Sequence, residues 1–365
     1  MENKGKGLAV PSNINEAHTI SAKFYTDPQL YEQAKNSIFL RSWQFITDEE
    51  RIRIPGQVYP HNLLEGCLDE PILLTRDFED MSHCLSNVCT HRGFLLVNNG
   101  GNMRTLRCRY HGRKFTLDGK FESMPEFENA VNFPSEKDNL PRVMQGKFGP
   151  FIFASLSPAR SFEDFIKPIT DRLDFLPFNE FKFDSARSRD YLVQANWALY
   201  CDNYLEGFHI PYVHPGLNSV LKYEDYNTEI FEEANLQLGI AEGAEDTFEL
   251  PANHIDSDRD VAAYYFWLFP NTMFNFYPWG LSINIVSPLA YNRTKVRFLT
   301  YVWKPELLDK GAGSGLDRVE REDEDVVELV QKGVKSRLYD TGRFSPRREK
   351  GVHHFHRLLS KYLDS

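Results

Sequence analysis

Long apolar runs are missing from this 365-residue chain: none approaches the roughly 18 residues that a membrane helix needs. No membrane partner is therefore expected. Residues Met1 to Asn13 carry charges, glycines and a proline but no apolar h-region, so no secretory signal is expected and the compartment reads as cytoplasmic. Cysteine is sparse, with five residues. In a reducing compartment these read as metal ligands or buried thiols rather than a disulfide framework. Positive charge is also short: 42 Lys and Arg face 52 Asp and Glu, a net charge of −10. That argues against nucleic acid or anionic lipid as main partner, while permitting a basic protein to dock. Internal repeats, low-complexity tracts and a dinucleotide-binding fingerprint are missing too. Gly311-Ala312-Gly313-Ser314-Gly315 lacks the third glycine of G-x-G-x-x-G and follows no apolar strand, so it reads as a flexible linker.

What is present suggests an α+β protein of two domains. The length exceeds one small core, and 41% apolar residues suffice for globular folding. Asp27-Pro28 reads as an N-cap with proline at the first helical position, opening a helix to about Leu40. From there to about Ser155, short apolar runs such as Ile72-Leu73-Leu74 and Phe151-Ile152-Phe153 alternate with turn residues, as in a small all-β domain. Pro158 to Arg187 reads as loop and helix. Beyond Asp190, Tyr264–Phe269, Met273–Tyr277, Leu281–Val286 and Val296–Trp303 read as consecutive antiparallel strands. Two helices, Leu316 to about Arg337 and Pro346 to Leu363, finish the chain. The expected boundaries are 1–40 for a helical segment packing on the larger domain, 41–155 for the all-β domain and 156–365 for the larger domain.

Two constellations carry chemistry. In the first, Cys89-Thr90-His91-Arg92-Gly93 and Cys108-Arg109-Tyr110-His111-Gly112 each supply one thiolate and one imidazole, and sixteen residues separate His91 from Cys108. Such donors suit a structural zinc or an iron–sulfur cluster. A zinc finger pairs cysteine with cysteine and histidine with histidine. One of each per loop fits a cluster in which two histidines replace two cysteines on one iron.

The second runs from Asn196 to His214. Asp202, Glu206 and His209 fall at helical spacing on one face. His209 and His214 are about 140° apart on a straight helix, so they can share a metal only if the chain bends, and Pro211 disfavours helix at Ile210. A carboxylate is still needed for a facial triad. In the helix after Leu316, an apolar stripe through Val319, Val326, Val327, Val330 and Val334 is interrupted by Asp323, a carboxylate where a core residue is expected. Glu322, Glu324 and Asp325 read as a solvated face of that helix.

These segments resemble the large (alpha) subunits of Rieske non-haem iron oxygenases. The first matches the C-x-H-R-G and C-x-Y-H-G fingerprints. Asn196–His214 resembles the family's catalytic segment, and Asp323-Glu324-Asp325-Val326-Val327-Glu328 with Gln331 resembles its later helix. The likeness covers about Leu30 to Leu363. It implies a Rieske domain holding a 2Fe-2S cluster on Cys89, His91, Cys108 and His111. It also implies a catalytic domain of helix-grip, START-like form holding one mononuclear Fe(II) on His209, His214 and Asp323. An acidic residue three before the first iron histidine bridges, in the family, to a cluster histidine of the neighbouring subunit. Here that residue is Glu206, where many members have aspartate, with Asp202 beside it. Transfer between subunits favours a homotrimer, and a separate NAD(P)H-dependent reductase or ferredoxin must supply electrons for O2 chemistry on a small substrate.

The wording from Asn203 to His214 is closer to the choline, carnitine and betaine monooxygenase branch than to naphthalene-type dioxygenases. Aromatic residues are plentiful at 14%, and a cage of Tyr265, Trp267, Phe276 and Trp279 would suit a quaternary ammonium group. Those rings equally suit core packing or the wall of an aromatic substrate's site. An arene dioxygenase, a Rieske electron carrier and a zinc-stabilised binding protein are the competing readings. His353, His354 and His356 lack a cysteine or carboxylate partner in the sequence pattern and read as packing or surface residues.

Overall fold

The structure is a computed structural model that describes residues 8–218, 223–241, 246–308, 310–313 and 316–364. Its contacts divide the chain into two compact units, one spanning Leu40–Phe162 and the other joining the segment up to Phe39 with the chain from Glu163 onward. Among the described residues no helix is long and apolar enough to cross a membrane.

The Leu40–Phe162 unit holds ten short strands: β1 (Gln44–Asp48), β2 (Gln57–Leu63), β3 (Glu70–Arg76), β4 (Ser82–Ser86), β5 (Gly101–Asn102), β6 (Leu106–Arg107), β7 (Lys114–Phe115), β8 (Phe121–Ser123), β9 (Met144–Phe148) and β10 (Phe151–Ser155). They form antiparallel sheets in the orders β1-β10-β9, β4-β3-β2-β5 and β6-β7-β8. The two-residue period of a strand sorts its core. On β3, Ile72 and Leu74 join Ile46 and Ile152 in one cluster. Leu73 points the other way, into a second cluster with Leu85, Leu106 and Phe115 that also contains Cys89 and Cys108.

The larger unit contains helices α1 (Lys23–Thr26), α2 (Pro28–Ser37), α3 (Phe162–Arg172, whose first residue belongs to the other unit), α4 (Trp197–Tyr204), α5 (Ile210–Val213), α6 (Pro215–Asn218), α7 (Leu316–Gly333) and α8 (Lys350–Asp364). The Asp27 carboxylate accepts from Gln29 N at 2.8 Å, so α2 starts where the Asp-Pro pair predicts. Strands β11 (Lys182–Val193), β12 (Asn227–Ile230), β13 (Ala234–Ile240), β14 (Val261–Leu268), β15 (Thr272–Tyr277), β16 (Gly280–Ala290) and β17 (Arg293–Val302) form one antiparallel sheet in the order β11-β17-β16-β15-β14-β13-β12. The fold is α+β, and the four expected strands are β14 to β17; β11, β12 and β13 extend the sheet beyond them. The β15–β16 turn needs glycine: Gly280 has φ 150°, and a Cβ there would run into the Tyr301 carbonyl.

Alternation also divides this sheet. Tyr264, Phe266, Phe274, Phe276, Leu281 and Ile283 are fully buried, and Phe266 packs edge-on to Phe276 on one face. The intervening positions Gln237, Tyr265, Asn275 and Ser282 lie opposite one another in register and form a polar row on the other face. The expected flexible linker is corrected over its described part. Gly311–Gly313 form a 3-10 turn, Ala312 is buried, and a Cβ on Gly313 would collide with the Trp279 indole. Ser314 and Gly315 lie outside the described residues.

Candidate metal centres and the adjoining cavity

The two Cys-His loops share one backbone closure. Cys89 N donates to Phe94 O (2.8 Å) and Cys89 O accepts from Gly93 N (3.0 Å); Cys108 N donates to Arg113 O (2.8 Å) and Cys108 O accepts from Gly112 N (3.0 Å). Gly93 and Gly112 have φ 72° and 79°, the left-handed region where glycine is favoured. The glycine thus stands four residues after the cysteine in both loops, although the histidine stands two after in one and three after in the other. Both thiols are buried, and the His91 and His111 ring centroids lie 4.8 Å apart.

The Nδ1 atoms of His91 and His111 are buried with no hydrogen-bond partner. Two orphaned imidazole nitrogens in one place are costly unless something binds them. Burial first, then the neighbouring His111 and Arg113, holds the His91 imidazole below its ordinary pKa, which keeps its lone pair available. This donor set fits a Rieske cluster. Sequence reasoning missed Arg113, which steadies the second loop. Its guanidinium is 2% exposed, bonds Asp138 at 2.6 Å and lies 5.0 to 5.6 Å from the rings of Phe115, Phe121 and Phe133. Cys67, Cys84 and Cys201 are buried and form no disulfide, and burial pushes the Cys84 thiol up to about 12.

The second centre lies within the larger unit. Asn196 caps α4 by accepting from Ala198 N at 3.0 Å, a contact of about 1 kcal/mol. The helix ends at Tyr204, so Asp202, Glu206 and His209 do not share one helix as expected. The break lies before His209, not at Ile210: Gly207 packs against Tyr226, whose ring would stand 2.6 Å from an added Cβ, and the Glu206 carboxylate accepts from Phe208 N and His209 N. Short α5 follows, with Pro211 inside its first turn. His209 precedes it, and His214 leaves it with φ −117° and ψ 71°, which reorients the second imidazole. The ring centroids end 5.1 Å apart.

Asp323 on α7 completes the group. Its Oδ1 lies 2.9 Å from His214 Nε2 and 3.5 Å from His209 Nε2, and one donor atom from each of the three residues falls within 4.8 Å of the others. Two imidazoles and a carboxylate suit a non-haem iron with open positions. The remaining ring nitrogens are held from behind: His209 Nδ1 faces Glu206 at 2.7 Å and His214 Nδ1 faces Glu322 at 2.8 Å. Burial alone would lower the pKa of His214, but Asp323 and Glu322 outweigh it and hold it above the ordinary value. Chiefly through its bond to His214, and then through Arg318, the Glu322 carboxyl is held below its ordinary range. The centre is built for positive charge.

Glu322 therefore corrects the expectation of a solvated face. On α7, Val330 is 41% exposed, whereas Gln331 is buried and accepts from Asn196 N at 2.6 Å. The buried face is centred on Val327, Gln331 and Val334 rather than on a run of valines, and this rotation turns Glu320 and Asp323 inward. Glu322→Gln is expected to weaken iron binding about 10- to 100-fold, as loss of an outer partner typically does. Iron retention against a chelator checks this, with cluster absorbance unchanged.

Asp202 is placed away from the centre. Its carboxylate accepts from Tyr25 Oη at 2.7 Å and pairs with His356 Nε2 at 2.9 Å, so it ties α4 to α8 and the N-terminal segment instead of bridging. His353 meets Pro11 O and His354 meets Asn235, consistent with packing roles. A cavity opens beside His209, His214 and Asp323. Its walls include Glu206, Tyr204, Tyr226, Tyr265, Tyr277 and Glu320, with the amides of Asn203, Gln237, Asn275 and Asn284. Of the four expected cage residues, Tyr265 lines it and the others do not. Phe276 is on the opposite face of the sheet, Trp267 is covered by Phe355 of α8 (5.1 Å), and Trp279 stacks behind Tyr277 (5.2 Å). Tyr204, Tyr226 and Tyr277 take their places.

Comparison with known proteins returns the same pairing of domains. The "Rieske [2Fe-2S] domain" family matches residues 42–134, and "Ring hydroxylating alpha subunit (catalytic domain)" matches residues 178–365. The chain is 32% identical to the chloroplastic choline monooxygenase of Arabidopsis thaliana, covering 96% of this chain and 84% of that protein. It is 30% identical to the carnitine monooxygenase oxygenase subunit of Escherichia coli (strain K12), covering 99% of each. Among solved structures, a quaternary ammonium Rieske monooxygenase superposes with a TM-score of 0.78 at 24% identity, covering 97% of this chain and 99% of the other. Naphthalene 1,2-dioxygenase superposes with 0.77 at 18% identity, covering 100% and 95%. At those identities the structural likeness speaks for the fold.

Proposed function

The chain belongs to the ring-hydroxylating oxygenase alpha subunits that carry a Rieske domain, and from that premise we propose that it hydroxylates or oxidatively demethylates a small quaternary ammonium compound such as choline or a betaine. As a Rieske oxygenase it is an oxidoreductase using O2, a 2Fe-2S cluster, a mononuclear iron and a separate electron-transfer partner. When bound, the cluster would supply single-electron relay, and an iron held by only three protein groups would supply O2 activation.

The residues would divide the work as follows. Cys89, Cys108, His91 and His111 hold the cluster; His209, His214 and Asp323 hold the iron. Glu206 and Glu322 fix the tautomers of the iron histidines by accepting at Nδ1, leaving each Nε2 free to coordinate. Glu206 would also carry the electron path onward from a cluster histidine of a neighbouring subunit, which requires more than one copy and suits a homotrimer. An NAD(P)H-dependent reductase or a ferredoxin feeds it. Five cysteines with no disulfide among them fit a reducing compartment such as the cytoplasm.

The cavity wall carries the substrate reading. Five tyrosines, Tyr200, Tyr204, Tyr226, Tyr265 and Tyr277, line it, and among the described residues no Lys or Arg does. Aromatic faces and carboxylates attract a methylated cation. Gln237 Oε1, buried with no hydrogen-bond partner, would gain none from a hydrocarbon, which disfavours a simple arene. The test is single turnover of chemically reduced protein in air with choline, glycine betaine, carnitine or naphthalene. One product per iron site from a quaternary amine, and none from naphthalene, is expected. The reverse pattern overturns the reading.

A further inference from the structure

Resting on the quaternary-ammonium reading, we infer that Gln237 determines specificity: its amide oxygen accepts a hydrogen bond from a hydroxyl carried two carbons from the substrate's ammonium nitrogen.

Gln237 stands on β13 between the buried Leu236 and Leu238, and it lines the cavity. It is 1% exposed, and its Nε2 donates to Tyr204 O at 2.7 Å. Tyr204 is the last residue of α4, where helix carbonyls lose their intrahelical partners, so this bond satisfies an orphan acceptor. A carbonyl can only accept, which settles which end of the amide is nitrogen. The other end, Oε1, is buried with no hydrogen-bond partner. Buried polar groups are nearly always paired, so an acceptor left over on a cavity wall points to a donor that arrives with the ligand.

The neighbouring polar groups are committed to one another. The Tyr204 hydroxyl donates to Asn275 Oδ1 at 2.7 Å, Asn275 Nδ2 donates to Asn284 Oδ1 at 3.1 Å, and Ser282 Oγ donates to the same oxygen at 3.3 Å. None of them turns a donor to Gln237 Oε1. Water can serve that oxygen in the free protein, and a substrate that displaces the water keeps the bond only by bringing a donor of its own.

The position of the acceptor fixes where the donor must be. Tyr265 lies directly opposite Gln237 in the β13–β14 register and lines the same cavity. Side chains so paired leave one face of the sheet with Cβ atoms about 4.5–5.5 Å apart. An aromatic face for a methylated cation and an acceptor for a hydroxyl are therefore neighbours. A two-carbon arm between ammonium and hydroxyl suits that spacing. Choline and carnitine both carry their hydroxyl there, whereas glycine betaine and γ-butyrobetaine carry none.

The experiment compares kcat/KM within two pairs that differ at the hydroxyl: choline against n-propyltrimethylammonium, and carnitine against γ-butyrobetaine. In the intact protein the hydroxylated member of whichever pair is turned over is expected to lead by about 10- to 100-fold, the effect of leaving one buried acceptor unpaired. Gln237→Met removes the acceptor at similar size and should bring that ratio close to one. Gln237→Glu keeps an acceptor oxygen and, protonated by burial, a donor for Tyr204 O, so it should retain the ratio. A ratio near one in the intact protein overturns the inference and leaves the quaternary-ammonium reading standing, as does turnover of glycine betaine with neither hydroxylated compound accepted. An undiminished ratio in Gln237→Met, with both members slowed equally, reduces Gln237 to a structural residue and overturns its assignment. Turnover of no quaternary amine overturns both readings. Where Gln237→Met does not fold, the intact protein and Gln237→Glu decide the point.

Discussion

Replacing His209 with alanine is expected to abolish substrate oxidation while leaving the cluster's visible spectrum intact. The imidazole stands 3.5 Å from the Asp323 carboxylate and shares its donor group with His214. With one of three ligands gone the loss should exceed the roughly 100-fold that follows removal of an outer partner. The cluster loops belong to the other compact unit and make no use of this residue. Total iron should fall by about one per chain, with sulfide unchanged. Retained turnover in H209A would remove the mononuclear site from this position.

The second large effect concerns delivery rather than binding. In protein reconstituted with excess ferrous iron so that both metal centres are loaded, Glu206→Gln should slow reoxidation of the reduced cluster by O2 and substrate about 100-fold. The carboxylate faces His209 Nδ1 at 2.7 Å and also accepts from the His209 backbone, so a charged bond ties it to the imidazole. Its amide analogue keeps the size and loses the charge. Stopped-flow absorbance of the cluster reads the rate directly. Unchanged reoxidation would show that electrons take another route. Loss of iron together with rate would show that Glu206 only holds His209.

Much of this architecture was legible in the residues. Two loops each carrying one cysteine and one histidine are rare, and glycine four residues after each cysteine follows from a shared turn. Asp323 stood out because a carboxylate interrupted valines. The errors have physical causes. Valines mark one stripe of α7, but Gln331 is buried in place of Val330 and accepts from the Asn196 N–H. A periodicity count cannot see a tertiary hydrogen bond, and so Glu322 was misplaced as well. The helical spacing of Asp202, Glu206 and His209 does not hold past Tyr204, where the helix ends before Gly207 and the Glu206 cap.

The cavity could have been found by a different signal. Gln237 lies between two leucines, Asn275 between two phenylalanines, and Ser282 and Asn284 are bracketed by Leu281, Ile283 and Ile285. Polar residues at every second position of otherwise apolar strands mark a face turned toward something other than hydrocarbon. Attention to the aromatic positions alone picked Phe276, which the pleat sends to the opposite face, and Trp267, which α8 covers. The Asp202–His356–Tyr25 link joins positions too distant in sequence for any local pattern to reveal.

The most direct test is the metal and sulfide content of the purified protein together with its visible spectrum. Two distinct centres on one chain predict about three irons and about two acid-labile sulfides per chain, with Rieske-type absorption. About two irons per two sulfides, in a chain reconstituted with excess ferrous iron, would leave only an electron carrier. Zinc without sulfide would contradict the account at its base.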